Sequence, residues 1–269
     1  MTGRSASVRG VEVAYDDEGR GEALVLLHGF PFDRSMWREQ SEVLSATCRV
    51  IAPDLRGLGE TPLGGEAATM GAMAEDVAAL LDASGVRRVV LGGLSMGGYV
   101  AFEFFRRFPE RVRALVLADT RPQADTDDGR RTREENARLV LRDGMRPLVE
   151  SMLPKLLSAS TREHNPEVVE RVRAMMLAVK PEGAAAALRG MAGRRDQTAL
   201  LPEINVPTLI LVGAEDPITP PSDAEAMAAK IEGSRLVRVE GAAHLSNVER
   251  PEEFNRALKD FVDGLLKVD

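Results

Sequence analysis

Arg88-Val89-Val90-Leu91-Gly92-Gly93-Leu94-Ser95-Met96-Gly97-Gly98-Tyr99 is the stretch on which the fold turns. An apolar, β-branched run of strand length meets a tight Gly-Leu-Ser-Met-Gly turn, and Tyr99, Val100, Ala101 and Phe102 then open a helical pattern. Gly-x-Ser-x-Gly between a strand and a helix is the pattern of a nucleophile elbow. Ser95 sits on a sharply reversed, strained backbone, which lifts its hydroxyl clear of the sheet. The flanking glycines are needed because side chains there collide with neighbouring elements. The plainer reading is a glycine-rich turn that cradles a phosphate. It lacks support, since no lysine follows as a P-loop requires and no Gly-x-Gly-x-x-Gly is present.

Working outward, strands and helices alternate on both sides. Ser7 to Tyr15 alternates and reads as a strand or hairpin, and Ala23 to Leu27 as a strand buried on both faces that stops at His28-Gly29-Phe30. Ser35 to Leu44 has helical spacing, Arg49 to Ala52 is a strand, and Thr69 to Leu81 is a helix with Thr69 as N-cap. After the elbow come a helix to about Phe108 and a strand from Ala114 to Ala118. From Arg121 to about Ala199 the texture changes to four or so short helical patterns broken by Pro147, Pro154, Pro166 and Pro181. The alternation resumes with a strand over Pro207 to Gly213, a helix over Ser222 to Ile231, a strand over Arg235 to Val239 and a helix over Pro251 to Leu266. The implied fold is α/β, with a mostly parallel twisted sheet, helices on both faces and active residues at the C-terminal strand ends. Residues 1–120 and 200–269 form the expected core domain, and 121–199 an inserted helical cap.

A serine hydroxyl needs a base within hydrogen-bond reach, itself oriented by an acid. His244 follows the last predicted strand in a loop of small residues, and Asp216 follows the strand before it. Glu215 and Asp119 compete with Asp216 for the acid role. His28 beside Gly29 reads as a residue that orders its loop, His164 as solvent-exposed, and Asp54 and Arg56 as fixing their own loop. Met96 opens the elbow helix, where its amide and the helix dipole favour an oxyanion. Phe32, Trp37, Met145 and Met175 are candidates for an apolar substrate pocket, although such residues more often simply fill a core. Arg121 and Arg146 are candidates for pairing with a substrate carboxylate, with surface arginine as the plainer reading.

Composition closes off several classes. The 269 residues are 44% hydrophobic and 29% charged, with net charge −7. An acidic chain whose arginines are interleaved with acids is not expected to bind nucleic acid. No run is long and apolar enough to span a bilayer, and the N-terminus does not have the form of a signal peptide. One cysteine, Cys48, cannot pair within the chain, which fits a reducing, cytoplasmic setting. No cysteine–histidine metal cluster is present and no cofactor is implied. Oligomeric state is not legible.

Taken together, His28-Gly29-Phe30, Asp54-Leu55-Arg56-Gly57-Leu58-Gly59, Gly93-Leu94-Ser95-Met96-Gly97, Gly213 to Pro217 and Gly241 to His244 resemble the α/β-hydrolase superfamily over nearly the whole chain. Within it the sequence is similar to the small cytosolic esterase and lactonase group, including enol-lactonase-like and cofactor-free haloperoxidase-like members. The resemblance implies a Ser95, Asp216, His244 triad in the chain order of that fold, Phe30 as the second oxyanion donor beside Met96, and a cap at 121–199. It implies an ester or lactone as small-molecule substrate, cleaved through an acyl-enzyme. Peroxide chemistry at the same triad, a carbon–carbon bond hydrolase and a hydrolase-fold binding protein are the alternatives. A haloalkane dehalogenase or epoxide hydrolase is set aside, because those carry Asp where this chain has Ser95.

Overall fold

The alternating N-terminal segment forms a hairpin, β1 (Gly3–Val8) and β2 (Val11–Glu18), turning at Arg9 and Gly10, both with positive φ as the twist-matched two-residue turn demands. The computed structural model describes residues 3–266. Six more strands complete one sheet: β3 (Ala23–Leu27), β4 (Arg49–Pro53), β5 (Val89–Leu94), β6 (Val112–Ala118), β7 (Thr208–Gly213) and β8 (Arg235–Val239). The spatial order is β1-β2-β4-β3-β5-β6-β7-β8. Among the described residues the β1–β2 and β2–β4 pairings are antiparallel, and from β4 to β8 every pairing is parallel. β3, β5 and β7 are buried at every position, so they read in sequence as unbroken apolar runs rather than as alternation.

The winding places the site. From β3 the chain steps outward to β4, then returns past β3 to β5. The C-terminal ends of β3 and β5 therefore flank the point where strand order reverses, and Leu27 pairs in register with Gly93 there. Ligand crevices of open α/β sheets form at such points.

The helices, in order, are α1 (Arg38–Leu44), α2 (Met70–Ala83), α3 (Met96–Arg107), α4 (Asp127–Asp143), α5 (Arg146–Leu156), α6 (Ala159–His164), α7 (Pro166–Ala178), α8 (Pro181–Ala192), α9 (Pro221–Ala228), α10 (Ser246–Glu249) and α11 (Pro251–Leu266). α3 lies on β3, β5 and β6 with α2 against it, and α1 packs on α11. Thr69 caps α2 by accepting the Ala72 amide at 3.0 Å. The predicted helix over Ser35 to Leu44 splits into a 3-10 turn, Arg34–Trp37, and α1.

Between β6 and β7 run five helices, α4 to α8. The prolines there mostly start helices instead of breaking them. Pro147, Pro166 and Pro181 occupy first-turn positions, where a missing amide costs nothing. Pro154 is tolerated inside α5, close to its C-terminal end. α8 packs along α4 and is seated on the core, main chain against main chain. A Cβ on Gly183 would fall 1.7 Å from the Gly57 carbonyl oxygen, and one on Gly190 would fall 1.9 Å from the Ala68 carbonyl oxygen. Two glycines seven residues apart share one helix face, so both contacts belong to one seat.

Candidate active site

Ser95 holds φ +53° and ψ −112° between β5 and α3. Such a conformation costs a non-glycine residue on the order of 1–3 kcal/mol and persists only where the surroundings enforce it. They do so from several sides. The Ser95 amide donates to Ala118 O at 3.0 Å, and its carbonyl accepts from Thr120 Oγ1 at 2.9 Å and from Gly98 N at 2.9 Å. The turn is too tight for side chains. A Cβ on Gly93 would lie 2.2 Å from Gly97 O, and one on Gly97 would lie 2.1 Å from Leu27 O.

The structure brings Ser95, His244 and Asp216 into one hydrogen-bonded line. His244 Nε2 stands 2.9 Å from Ser95 Oγ, and His244 Nδ1 stands 2.7 Å from Asp216 Oδ2. Asp216 Oδ1 accepts the amides of Ile218 (2.8 Å) and Thr219 (3.1 Å), and Oδ2 also accepts the Thr219 hydroxyl at 2.7 Å. Burial pushes the Asp216 carboxyl up, but the attraction of His244 and these donors outweigh it and hold the group below its ordinary value. For His244 burial pulls the pKa down. The charge and hydrogen bond of Asp216 more than reverse this, and the imidazole lies above its ordinary value. With Nδ1–H donating to the Asp216 carboxylate, Nε2 is left with a lone pair facing the serine hydroxyl.

The competing carboxylates go elsewhere. Glu215 is exposed to solvent. Asp119, at φ +42°, is fully buried, accepting Gly213 N at 2.8 Å and the Ser246 hydroxyl. Burial, then repulsion from Asp216, pushes its carboxyl up to about 8.

On the oxyanion side, Met96 is the first residue of α3, so its amide has no carbonyl one turn back within its own helix. The loop after β3 passes close by, for a Cβ on Gly29 would stand 3.6 Å from Ser95 Cβ. His28 shapes this loop. It is fully buried, with Nδ1 donating to Gly29 O at 2.9 Å and Nε2 accepting Leu55 N at 2.9 Å. Burial lowers its pKa, which suits an imidazole that donates on one nitrogen and accepts on the other. Met36 Sδ accepts the Gly29 amide at 3.2 Å. Asp54 accepts the amides of Arg34 and Glu60, both at 2.8 Å, and Arg56 forms a buried two-pronged pair with Asp76.

The four apolar pocket candidates scatter. Trp37 is buried, with its ring 6.1 Å from that of Phe254 on α11. Phe32 and Met145 are likewise buried. Met175 lines a cleft of about 250 Å³ with Ser35, Met36, Arg171 and Val248. Arg38, Glu39 and Glu42 complete its lining, which includes none of Ser95, Asp216 and His244. Arg121 stands 3.9 Å from each of Asp125 and Asp223.

Several supporting residues escaped the sequence reading: Thr219, Thr120, Ser246, Asn247 and Glu249. Asn247 Nδ2 donates to Met36 O at 3.1 Å and to Gln40 Oε1 at 3.2 Å, which ties the histidine loop to the 3-10 turn and α1. Glu249 accepts the Ala243 amide on one oxygen and the Ser158 amide, at 2.8 Å, on the other. One signal was present. Ser246 and Glu249 stand three apart, the spacing of a capping box. The glutamate answers a different pair of amides, one of them far away in the chain. Among the described residues no group of three or more His, Cys, Asp or Glu is placed to hold a metal ion, and no helix is long and apolar enough to cross a membrane.

Residues 22–251 match the family described as alpha/beta hydrolase fold. The chain belongs to that family. A thermophilic esterase from Thermogutta terrifontis superposes with a TM-score of 0.95 at 43% identity, covering 98% of this chain and 99% of its own. A Bacillus subtilis protein provisionally named 2-succinyl-6-hydroxy-2,4-cyclohexadiene-1-carboxylate synthase is 33% identical over 95% of this chain and 96% of its own length. A 3-oxoadipate enol-lactonase of Acinetobacter baylyi is 30% identical over 88% of this chain and 87% of its own.

Proposed function

We propose that the protein is a serine hydrolase of carboxylic esters or lactones with short to medium acyl groups. The observation that carries this is the 2.9 Å approach of His244 Nε2 to Ser95 Oγ, with Asp216 on the opposite ring nitrogen. His244 takes the Ser95 proton as Oγ attacks the acyl carbonyl. The developing oxyanion lies toward the amides of Met96 and Phe30, each worth a few kcal/mol in such a role. His244, now cationic and steadied by Asp216, hands the proton to the leaving alcohol, and water cleaves the acyl-enzyme by the same route.

Residues 121–199, carrying α4 to α8, act as a cap on a core made of 1–120 and 200–269. Met175 is the pocket candidate assigned to substrate contact, because it faces an accessible cleft; Phe32, Trp37 and Met145 support from the core. The esterase at 43% identity supports the ester reading, and the enol-lactonase at 30% supports lactones as a second substrate form.

The test is covalent trapping. A fluorophosphonate is expected to add one equivalent to the intact protein, and Ser95→Ala to take up none while keeping its thermal stability. An unlabelled wild type, or a labelled Ser95→Ala, overturns the assignment. A screen of esters, lactones and amides then ranks the substrate forms.

A further inference from the structure

The loop that carries His244 does not rest only on the sheet. Leu245 N donates to Leu156 O at 3.1 Å, at the end of α5. Two residues on, Ser158 caps the N-terminus of α6, and its amide donates to Glu249 at 2.8 Å. The same carboxylate accepts the amide of Ala243, the residue immediately before His244, at 2.6 Å. Glu249 is 6% exposed, and each of its oxygens is spent on a main-chain donor. A buried carboxylate with one oxygen on each of two segments fixes their separation, because neither amide has water to fall back on.

We propose that Glu249 is a positioning residue that latches the α5–α6 junction of the helical insert to the loop bearing His244, so that the seating of the insert and the aim of the base are set together. This rests on the reading of His244 as the general base. The carboxylate touches no reacting atom and acts through the main chain of Ala243. A displacement of the insert at Ser158 is therefore passed to the imidazole, whose hydrogen bonds to Ser95 and Asp216 leave little tolerance. Misplacement on the order of 1 Å at a reacting group costs as much as about a hundredfold in rate.

Two substitutions cut the latch from opposite sides. Glu249→Gln keeps the volume but turns an NH2 toward one of the two amides. Ser158→Pro removes only the insert's donor from the latch and fits the backbone, since Ser158 has φ −59° and Leu157 is extended at φ −121°, ψ 141°. Ser158→Pro also loses the hydroxyl that caps Thr161 N. Ser158→Ala loses the same hydroxyl but keeps the amide, and so isolates the donor.

With a p-nitrophenyl ester, Glu249→Gln and Ser158→Pro are each expected to lower kcat by about tenfold or more while KM stays within about twofold, and Ser158→Ala to follow the wild type. The acid limb of kcat/KM moves to lower pH in the first two, as His244 loses its alignment with Asp216. The double variant should be no slower than Glu249→Gln, since both changes break one link. Amide hydrogen exchange supplies a readout independent of turnover: Glu249→Ala, which leaves neither amide an acceptor, should deprotect peptides around both Ala243 and Ser158. If Ser158→Pro keeps the wild-type kcat and acid limb, or if exchange rises at only one of the two segments, the latch is overturned. A wild type that takes no fluorophosphonate at Ser95 would sink the hydrolase reading instead, and the exchange experiment would still decide on the latch.

Discussion

Replacing Asp216 by Asn removes the negative charge behind His244 while keeping the shape. The carboxylate receives four donors: two amides on Oδ1, and the Thr219 hydroxyl and His244 Nδ1 on Oδ2. The amides of Ile218 and Thr219 cannot turn away, so the Asn carbonyl must take them and its NH2 must face Thr219 and His244. The Thr219 hydroxyl rotates to accept. The imidazole can accept only by moving its proton to Nε2. In that tautomer Nε2 donates to Ser95 and cannot take its proton. The charge itself can be sized separately: a cation about 4 Å from a carboxylate gains about 4 kcal/mol at an effective dielectric constant of about 20. At about 1.4 kcal/mol per decade that is about a thousandfold in kcat. Steady-state hydrolysis of a p-nitrophenyl ester should show this loss with KM within a few fold, because Asp216 touches no substrate. The pH profile supplies an independent sign. Asp216 is what lifts His244 above its ordinary value against burial, so in Asp216→Asn the acid limb of kcat/KM moves to lower pH. The variant is slower, yet its base is deprotonated earlier. Glu215→Gln removes an equal charge from an exposed neighbour and should change neither quantity. An Asp216→Asn protein that keeps more than about a tenth of kcat, or whose acid limb moves to higher pH, refutes the triad reasoning.

Asp119, with its carboxyl pushed up to about 8, holds its proton more tightly folded than unfolded. It adds stability below the ordinary carboxyl range and loses it as pH climbs to about 8. Asp119→Asn accepts Gly213 N and offers its NH2 to Ser246, so its melting advantage over the wild type should grow from about pH 5 to about pH 8 and then level off; a difference that stays flat across that range discards the account. Gly183→Ala should lower Tm by several degrees in calorimetry, since forcing a methyl against the Gly57 carbonyl costs about 1–3 kcal/mol. Gly264→Ala in α11, where a Cβ meets nothing within 4 Å, should raise stability by about 0.5–1 kcal/mol, and equal signs for the two would contradict the close seat of α8. The Cys48 thiol, pushed up to about 11 by burial and donating to Leu44 O, should react with a disulfide reagent only after denaturant is added; full reaction of the native protein within seconds would show that it is not enclosed.

What was legible in the sequence is what local pattern controls. The elbow, the buried runs of β3, β5 and β7, and the loops after β7 and β8 are short segments whose residues announce their own geometry. Ser95, Asp216 and His244 could be picked out because each follows the C-terminal end of a strand, Ser95 directly and the other two within a loop. The choice among Asp216, Glu215 and Asp119 stayed open because it depends on which carboxylate a loop turns toward the imidazole, and no periodicity carries that. Ser246 and Asn247 were missed because their partners come from other segments; Ser246 meets an aspartate 127 residues away, whereas Thr219 bonds Asp216 within one loop that has no periodicity to mark it. The segment 121–199 was readable as helical, and Pro147, Pro166 and Pro181 do stand where one helix gives way to the next, while Pro154 lies inside α5. Proline excludes only helix interiors, and a first-turn proline is as good a start as a stop.

The seat of α8 on the loops at Gly57 and Ala68 bears on how such a protein can diversify. Main chain meeting main chain carries almost no side-chain information, so the junction does not depend on what the rest of the insert displays. The outward faces of α4 to α7 can vary while positions 183 and 190 stay glycine, α4 keeps its packing on α8, and the Ser158 amide keeps its place on Glu249. Chimeras joined at residues 121 and 199 that keep both glycines and the Ser158–Glu249 contact should fold on this chain's sheet.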